Sequence, residues 1–386
     1  MARRGLRPDD GADAVAADDP HRGGAAGLRE APGVTPLAEI LRRRIAAEGP
    51  MTVAEYMGLC LMHPQHGYYT TRDPLGAGGD FTTAPEISQM FGEMLGLCLA
   101  QCWLEQGRPS PFLLSELGPG RGTLMADALR AMRAVPGMVE AAEVHLVEAS
   151  PSLRTAQNAI LSDHAPVWRD SIAALPEGPL FLLANEFFDA LPVRQFLRVG
   201  DAWAERVVGL QDGALSFGLT EPAAQAALSH RLDDTAEGDL VETCSPALGI
   251  SEEIGRRIAA HGGAALVVDY GSARSLGDTF QALRRHEKVD PLAYPGESDL
   301  TAHVDFGALA EAAPCAHSAL TPQGVFLERL GITDRARALA AKLSGEALDS
   351  HVAAHRRLTH PDEMGSLFKT LGFFPEGATP PPGLQT

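Results

Sequence analysis

The sequence is poor in the features that mark secreted and membrane-spanning proteins. It has five cysteines in 386 residues, an odd number, and no two of them form a Cys-x-x-Cys pair. This argues against a disulfide framework and predicts a reducing compartment. No run approaches roughly 18 consecutive apolar residues, so we predict no membrane insertion. Arg3 and Arg4 are followed by acidic residues and glycine instead of an apolar stretch, which is typical of neither a secretory nor a mitochondrial leader. We therefore predict a cytoplasmic location.

Basic residues are scarce as well. The chain has 32 Lys and Arg against 50 Asp and Glu, which gives a formal net charge of −18. Such a surface repels a phosphate backbone, so we predict no nucleic-acid partner. A basic protein or peptide would be attracted, although solubility alone also accounts for the charge. Hydrophobic residues make up 45% of the chain and aromatic residues 6%, which indicates a globular protein with an aliphatic core.

The chain divides into four regions by composition. Residues 1–33 contain no aromatic residue and no apolar periodicity, so we expect a disordered tail. Residues 34–110 have helical spacing and predict a helical cap or lid region. Residues 111–375 predict the main domain, with an insertion at about 193–245. We expect the proline-rich residues 376–386 to form a second disordered tail.

The main domain has the pattern of an α/β fold. From Pro111 onward, apolar runs alternate with helical segments, as in a parallel sheet with crossover helices. The expected strands of this sheet are Phe112–Leu117, Val144–Val147, Val167-Trp168, Leu180–Ala184 and Ala264–Val268. Alternating segments predict β-hairpins in the insertion at Gln195–Val199, Ala204–Leu210 and Ala214–Leu219. Other expected elements are helices from Thr52 to about Met62, from about Pro85 to Gln106 and near Phe306–Ala313, and strand-like segments at Val325–Leu327 and Leu367–Phe374.

The most informative segment is a glycine-rich turn between the first strand and a helix. Gly118, Gly120 and Gly122 follow Glu116 in the segment Leu114–Thr123, and glycine lets a ligand lie against the backbone. A dinucleotide fingerprint requires glycine where this chain has Thr123, and a phosphate-binding loop requires Gly-Lys-Ser/Thr. Neither pattern fits. A carboxylate at position 116 would repel a pyrophosphate, whereas it would bind the ammonium group of an amino-acid moiety.

Two further acids follow the next two strands. Glu148 ends the second strand, where the ribose hydroxyls of a nucleoside lie in such folds. Asp170 follows the third strand and is placed to bind an adenine amino group, although aspartate is also common in turns. Three acids after three successive strands match an adenosyl ligand that carries a positive charge. We therefore predict S-adenosylmethionine as the cofactor.

The fourth strand ends in a second acidic segment. Asn185, Glu186 and Asp189 follow it, where α/β sheets place their active sites, with Phe187 and Phe188 as apolar walls. Carboxylates bind a guanidinium group bidentately, so Glu186 and Asp189 are candidates for holding an arginine. The alternative for Asp189 is a cap on a following helix.

The histidines do not predict a metal site. His351 and His355 are four residues apart, but Val352 stands where a zinc protease has its glutamate. His63 and His66 have no cysteine nearby. His303 lies among alternating polar residues and is equally compatible with a structural and a catalytic role.

Several segments resemble the MidA-like methyltransferases, a family that includes the mitochondrial complex I assembly protein-arginine methyltransferase. The resemblance covers about residues 35 to 375. The matching segments are Gly79–Gln89 with Phe91–Glu93, Glu116–Leu124, Ala184–Val193, Val268–Gly271, Pro295–Phe306 and Met364–Lys369.

The resemblance implies a class I S-adenosylmethionine-dependent methyltransferase fold, which is Rossmann-like. It has a seven-stranded, mostly parallel sheet with one antiparallel strand, a helical N-terminal region and a hairpin insertion. It also implies symmetric dimethylation of an arginine in a respiratory complex I subunit, in support of assembly. By the same resemblance, Thr82, Thr83, Pro85 and Gln89 close over the cofactor. A small-molecule methyltransferase and a non-catalytic assembly factor on the same scaffold are the alternatives.

Overall fold

The computed structural model describes residues 35–71 and 82–386 of the chain. The expected disordered tail at residues 1–33 and the start of the Gly79–Gln89 signature lie outside these ranges.

The described residues form thirteen α-helices and seventeen strands. The helices are α1 (Pro36–Glu48), α2 (Val53–Met62), α3 (Tyr68–Thr71), α4 (Ala84–Ile87), α5 (Gln89–Glu105), α6 (Thr123–Met132), α7 (Met138–Ala141), α8 (Pro151–Leu161), α9 (Ser245–His261), α10 (Phe306–Ala312), α11 (Gln323–Arg329), α12 (Ile332–Ala340) and α13 (Glu346–Thr359). The strands are β1 (Met51–Thr52), β2 (Phe112–Leu117), β3 (Ala142–Val147), β4 (Val167–Arg169), β5 (Leu180–Asn185), β6 (Arg194–Val199), β7 (Ala202–Gln211), β8 (Ala214–Leu219), β9 (Leu240–Thr243), β10 (Gly263–Ser272), β11 (Gln281–Arg284), β12 (Glu287–Val289), β13 (Asp299–Thr301), β14 (Val304–Asp305), β15 (Ala316–His317), β16 (Thr321–Pro322) and β17 (Phe368–Phe374). None of the described helices has the length and apolar content needed to cross a bilayer.

A large mixed sheet forms the centre of the molecule. Its strands lie in the order β15-β17-β10-β5-β2-β3-β4, and β14 and β16 pair at its side. Strands β10, β5, β2, β3 and β4 are parallel to one another, whereas β17 is antiparallel to both of its neighbours, β10 and β15. Seven strands therefore follow one another along the sheet, and two short strands raise the total to nine.

The central strands are buried because helices cover both faces of the sheet. Every residue of β2 and β5 is buried, as expected of parallel strands with a layer on each side. Side chains of β2 alternate between two cores: Phe112 and Leu114 pack with α5 and α6, while Leu113 and Leu117 pack with α9 and α10. The parallel strands therefore end at one shared edge, where loops carry the polar residues.

A smaller sheet joins the insertion to the N-terminal helices. Strands β6, β7 and β8 form the expected hairpins, with β9 and β1 added at their sides. The capping box at Thr52 starts α2, since the Thr52 hydroxyl accepts from the Glu55 amide and the Glu55 carboxylate accepts from the Thr52 amide. Tyr56 of α2 and Val208 of β7 share one apolar core. Tyr68 of α3 belongs to the same core, which therefore joins α2 and α3 to the smaller sheet.

Three expectations differ from the structure. Val325–Leu327 is not a strand but part of α11, because three apolar residues cannot distinguish a buried helix from a strand. The expected long helix from Pro85 is two helices, α4 and α5, separated by Ser88 in an extended conformation. The expected disorder after Pro375 is wrong, because Leu384 is buried against the main core and the Ala319 amide donates to the Gln385 carbonyl at 2.7 Å.

We predict that Leu384→Ala destabilises the protein by about 2–4 kcal/mol, since it removes a side chain that is buried against the main core. The free energy of unfolding in urea measures this change. Gln385→Ala is the matched control, because this neighbouring side chain is exposed. Equal stability of the two variants would show that the C-terminal residues do not pack.

Candidate active site

One cavity of about 400 Å³ lies at the carboxyl ends of the parallel strands. The loops after β2, β3, β4 and β5 form its floor, and residues of α2, α3 and α4 form the opposite wall. The crossover connections of a parallel sheet bring these loops to one edge. A cavity of this size is in the range of small-molecule and cofactor sites.

The glycine-rich turn forms one side of the cavity. Gly118 and Gly120 line it with φ values of 60° and 53°, in the left-handed region that favours glycine. A Cβ on Gly118 would lie 2.9 Å from the Phe187 ring, so the turn and the loop after β5 are in close contact. Gly122, by contrast, does not line the cavity; it precedes α6 and packs against Gln157.

Glu116 presents a buried acid to the cavity. Its side chain is 3% exposed, and Oε2 has no hydrogen-bond partner in the described part of the chain. The pKa of the Glu116 carboxyl is raised to about 8, mainly because the group is buried; the Met125 amide opposes the shift by a hydrogen bond, and the nearby Glu148 adds to it. A cation placed here would favour the ionised form. The ammonium group of an amino-acid moiety therefore fits this position.

Glu148 is held by two donors. The Ser150 amide donates to Oε1 at 2.7 Å, and the Gln157 side-chain amide donates to Oε2 at 3.2 Å. Burial raises the pKa of Glu148, and these donors oppose the shift. Each oxygen keeps a lone pair for a further donor, which suits a pair of ribose hydroxyls. Asp170 lies at the rim, where its side chain is 91% exposed and pairs with Arg154 at 2.5 Å.

Asn185 and Glu186 form the wall after β5. Glu186 Oε1 accepts from the Ala84 amide at 3.1 Å and from the Asn185 side-chain amide at 3.0 Å. Burial raises the pKa of Glu186 to about 7, and these two donors oppose the shift. Asn185 Oδ1 is buried without a partner among the described residues. Both side chains line the cavity and offer acceptor oxygens.

Asp189 and His303 are not among the residues that line the cavity. Asp189 is 6% exposed, and burial raises its pKa to about 6. The helix-cap alternative for Asp189 is wrong, because the next regular element is strand β6. His303 packs edge-on against the Tyr270 ring, with ring centroids 5.4 Å apart.

The N-terminal segment reaches the cavity through α4. Thr83 and Pro85 line the cavity, whereas Thr82 and Gln89 do not, and the Gln89 side chain instead donates to Glu93 at 3.2 Å. Glu86 was not predicted from the sequence. Its Oε1 accepts from the Thr123 hydroxyl at 2.7 Å, which ties α4 to the start of α6.

Two other residues were missed. Asp269 is fully buried within β10, and one of its oxygens accepts from the Phe188 and Asp189 amides at 3.0 and 3.2 Å. It therefore fixes the loop that follows Glu186. Gln157 of α8 contacts both the glycine-rich turn and Glu148. A polar residue on the buried face of a helix was the available signal for Gln157.

The histidines considered as metal ligands hydrogen-bond elsewhere. His351 contacts the Ala336 carbonyl at 3.0 Å, and His355 contacts the Thr333 hydroxyl at 3.0 Å. Across residues 35–71 and 82–386, no three His, Cys, Asp or Glu side chains are grouped as metal ligands.

We predict that the affinity for S-adenosylhomocysteine rises with pH up to about 8. In the free protein Glu116 is largely protonated below its pKa of about 8, whereas the ammonium group of the ligand binds the carboxylate. Affinity should therefore increase by up to about tenfold per pH unit between pH 6 and 8 and then level off. Isothermal titration calorimetry in buffers of different ionisation enthalpy measures both affinity and proton release.

In Glu116→Gln we expect this pH dependence to disappear and the affinity at pH 8 to fall by about 10- to 100-fold. Glu140→Gln is the matched control, because Glu140 is exposed and precedes β3 at the opposite end of the sheet. Unchanged affinity from pH 6 to 8 in the unmutated protein would contradict the assignment of Glu116.

Comparisons with known proteins identify methyltransferases as relatives of this chain. A family model for S-adenosyl-L-methionine-dependent methyltransferases matches residues 94–325. The mitochondrial protein arginine methyltransferase NDUFAF7 of Homo sapiens is 38% identical over 372 residues, which cover 89% of this chain and 84% of that protein. The Drosophila melanogaster homolog, also mitochondrial, is 37% identical over 374 residues, 88% of this chain and 85% of the relative. A Burkholderia thailandensis protein crystallised with S-adenosyl-homocysteine superposes with a TM-score of 0.76 at 32% identity, over 89% of this chain and 95% of that one.

These relatives correct one prediction. The cytoplasmic location is wrong on this comparison, because the curated relatives have mitochondrial names. Cysteine usage indicated a reducing compartment, but it does not distinguish one such compartment from another.

The cofactor fits the residues that the structure brings together. The unpartnered oxygen of Glu116 suits an ammonium group, the glycine-rich turn leaves room for a ligand beside the backbone, and Glu148 has acceptor capacity for ribose hydroxyls. The resemblance seen in the motifs is confirmed by the family model and by relatives at 37–38% identity. The chain belongs to the MidA-like family of S-adenosylmethionine-dependent methyltransferases.

Proposed function

We propose that this enzyme methylates an arginine side chain of another protein, with S-adenosylmethionine as the methyl donor. The curated relatives are named protein arginine methyltransferases, and they match most of this chain. The net charge of −18 favours the approach of a basic partner. A subunit of respiratory complex I is the proposed acceptor, in line with the family resemblance.

The observation that carries this proposal is the pair of acceptor groups after β5. Both donors to Glu186 reach Oε1, and no hydrogen bond from the described residues occupies Oε2. Asn185 donates through its amide nitrogen, and its Oδ1 has no hydrogen-bond partner among the described residues. A guanidinium group has five N–H donors in a planar fork and can bind both oxygens at once.

Positioning supplies most of the catalysis in this proposal. When bound, the cofactor supplies an electrophilic methyl group on a positively charged sulfur. Glu186 and Asn185 orient the guanidinium so that one nitrogen points along the line of attack. The N–C bond forms as the S–C bond breaks, and the attacking nitrogen loses a proton. Glu186, with a pKa of about 7, is suited to hold that proton.

The opposite wall of the cavity suits the aliphatic part of an arginine. Gly58 and Met62 of α2 and Pro192 after β5 line this side, and a Cβ on Gly58 would lie 3.7 Å from Pro192. An arginine stem packs on such apolar surface while its head group reaches the acids. Asp189 and His303 do not line the cavity, so this proposal gives them no direct contact with the arginine.

The test is to incubate the protein with isotopically labelled S-adenosylmethionine and an extract of cells that lack this protein. Mass spectrometry then locates the label. Label on an arginine of a complex I subunit supports the whole proposal, and the fragment masses give the degree and symmetry of methylation. Label on another protein would reject the complex I acceptor. Label only on small molecules would reject arginine methylation.

We predict that Glu186→Gln lowers kcat by at least about 100-fold, because the guanidinium loses its charged acceptor and its proton acceptor. The affinity for S-adenosylhomocysteine should stay within about threefold, since the donors and acids of the cofactor side are unchanged. At saturating cofactor, kcat of the unmutated enzyme should rise with pH through about 7, as Glu186 ionises.

Exposed Glu140→Gln again serves as the control, with activity expected to match the unmutated enzyme. Full activity of Glu186→Gln would rule out the proposed role of this carboxylate.

A further inference from the structure

Helix α8 presents two polar side chains to the cofactor end of the sheet. Arg154 and Gln157 are three residues apart and therefore share one face of the helix. Arg154 Nε donates to the Glu148 backbone carbonyl at 2.8 Å, and its Nη2 binds Asp170. Gln157 contacts the Glu148 side chain. One helix face thus holds the backbone and the carboxylate of Glu148 and also the rim acid Asp170.

Gln157 connects three separate elements. Its Nε2 donates to the Gly120 carbonyl at 2.7 Å and to Glu148 Oε2 at 3.2 Å, and its Oε1 accepts from Trp168 Nε1 at 2.7 Å. The side chain is fully buried and is absent from the cavity lining. Gln157 therefore cannot touch a ligand directly, and any effect on binding passes through its partners.

The orientation of the Gln157 amide is fixed by chemistry. An indole N–H only donates, so the oxygen of the amide must face Trp168. The amide nitrogen then faces two acceptors, the Gly120 carbonyl and the Glu148 carboxylate, and supplies one hydrogen to each. No rotation of the amide satisfies these three partners in another way.

We propose that Gln157 is a positioning residue for the cofactor, and that it sets the Glu148 carboxylate for recognition of the ribose hydroxyls. With Ser150 on Oε1 and Gln157 on Oε2, the carboxylate plane is fixed before a ligand arrives. Preorganisation of this kind lowers the cost of ordering groups on binding. The inference rests on the assignment of Glu148 to the ribose and is independent of the methyl acceptor.

The test combines a change in the protein with a change in the ligand. S-adenosylhomocysteine and its 2′-deoxy analogue are titrated calorimetrically into the unmutated protein and into Gln157→Leu. We expect the missing hydroxyl to weaken binding to the unmutated protein by about tenfold. In Gln157→Leu we expect S-adenosylhomocysteine itself to bind about tenfold more weakly, and the missing hydroxyl to matter by less than about threefold.

A merely structural role would lower both affinities by the same factor, and this additive result would overturn the proposal. Unchanged binding in Gln157→Leu would overturn it as well. Equal binding of the two ligands to the unmutated protein would reject the ribose assignment of Glu148, and the inference with it, without affecting arginine methylation. Asn158→Ala, at the next and exposed position of α8, is the matched control and should leave both affinities within about twofold.

Trp168→Phe provides a second route if Gln157→Leu does not fold. It removes only the donor that fixes the Gln157 oxygen and keeps an aromatic ring in place. We expect discrimination between the two ligands to fall by about threefold. Unchanged discrimination in Trp168→Phe would count against the proposal.

Discussion

The desolvation of carboxyl groups around one cavity is the constraint on which the rest of the structure depends. Glu116, Glu148 and Glu186 lie at the ends of three strands, and the pKa of each is raised because its charged form is poorly solvated. Their partial compensation comes from neighbouring amide groups of the loops and of α8. A cationic ligand completes that compensation. In the free protein the charged forms of these carboxyl groups are only partly stabilised, and this favours the binding of positively charged molecules in the cavity.

Hydrogen bonds join α4, on one side of the cavity, to the strand ends and to α6 on the other side. The Ala84 amide of α4 donates to Glu186, and the Thr123 hydroxyl of α6 donates to Glu86. The segment before the main domain therefore contacts both the proposed acceptor site and the end of the glycine-rich turn, where α6 starts. Asp269 adds a third tie, because it holds the loop after Glu186 from the adjacent strand β10. A shift of α4 would change the surroundings of Glu186 directly.

The sequence was sufficient for the features that depend on local pattern. The turn from Glu116 to Thr123, the acid Glu148 and the strands of the parallel sheet follow from residue types at fixed spacing along the chain. The contacts of Gln157 did not follow, since they join residues that are 9 to 37 positions apart. Asp189 was expected at the cavity, but it does not line it, and its backbone amide is held by Asp269 of another strand, 80 positions away. The prediction of a disordered C-terminal tail was wrong for a similar reason. A proline-rich composition does not show that Leu384 packs against the main core.

The left-handed backbone conformation of Glu186 affects which mutations this position can accept. Its φ of 50° lies in the left-handed region, which a residue with a side chain adopts at a cost of about 1–2 kcal/mol. A glycine at this position would relieve that strain and remove a poorly solvated acid in one step. At this position a mutation that stabilises the fold therefore removes the carboxylate that the proposed reaction needs. A lineage released from the need to methylate would be expected to lose this glutamate early and to become more robust by doing so.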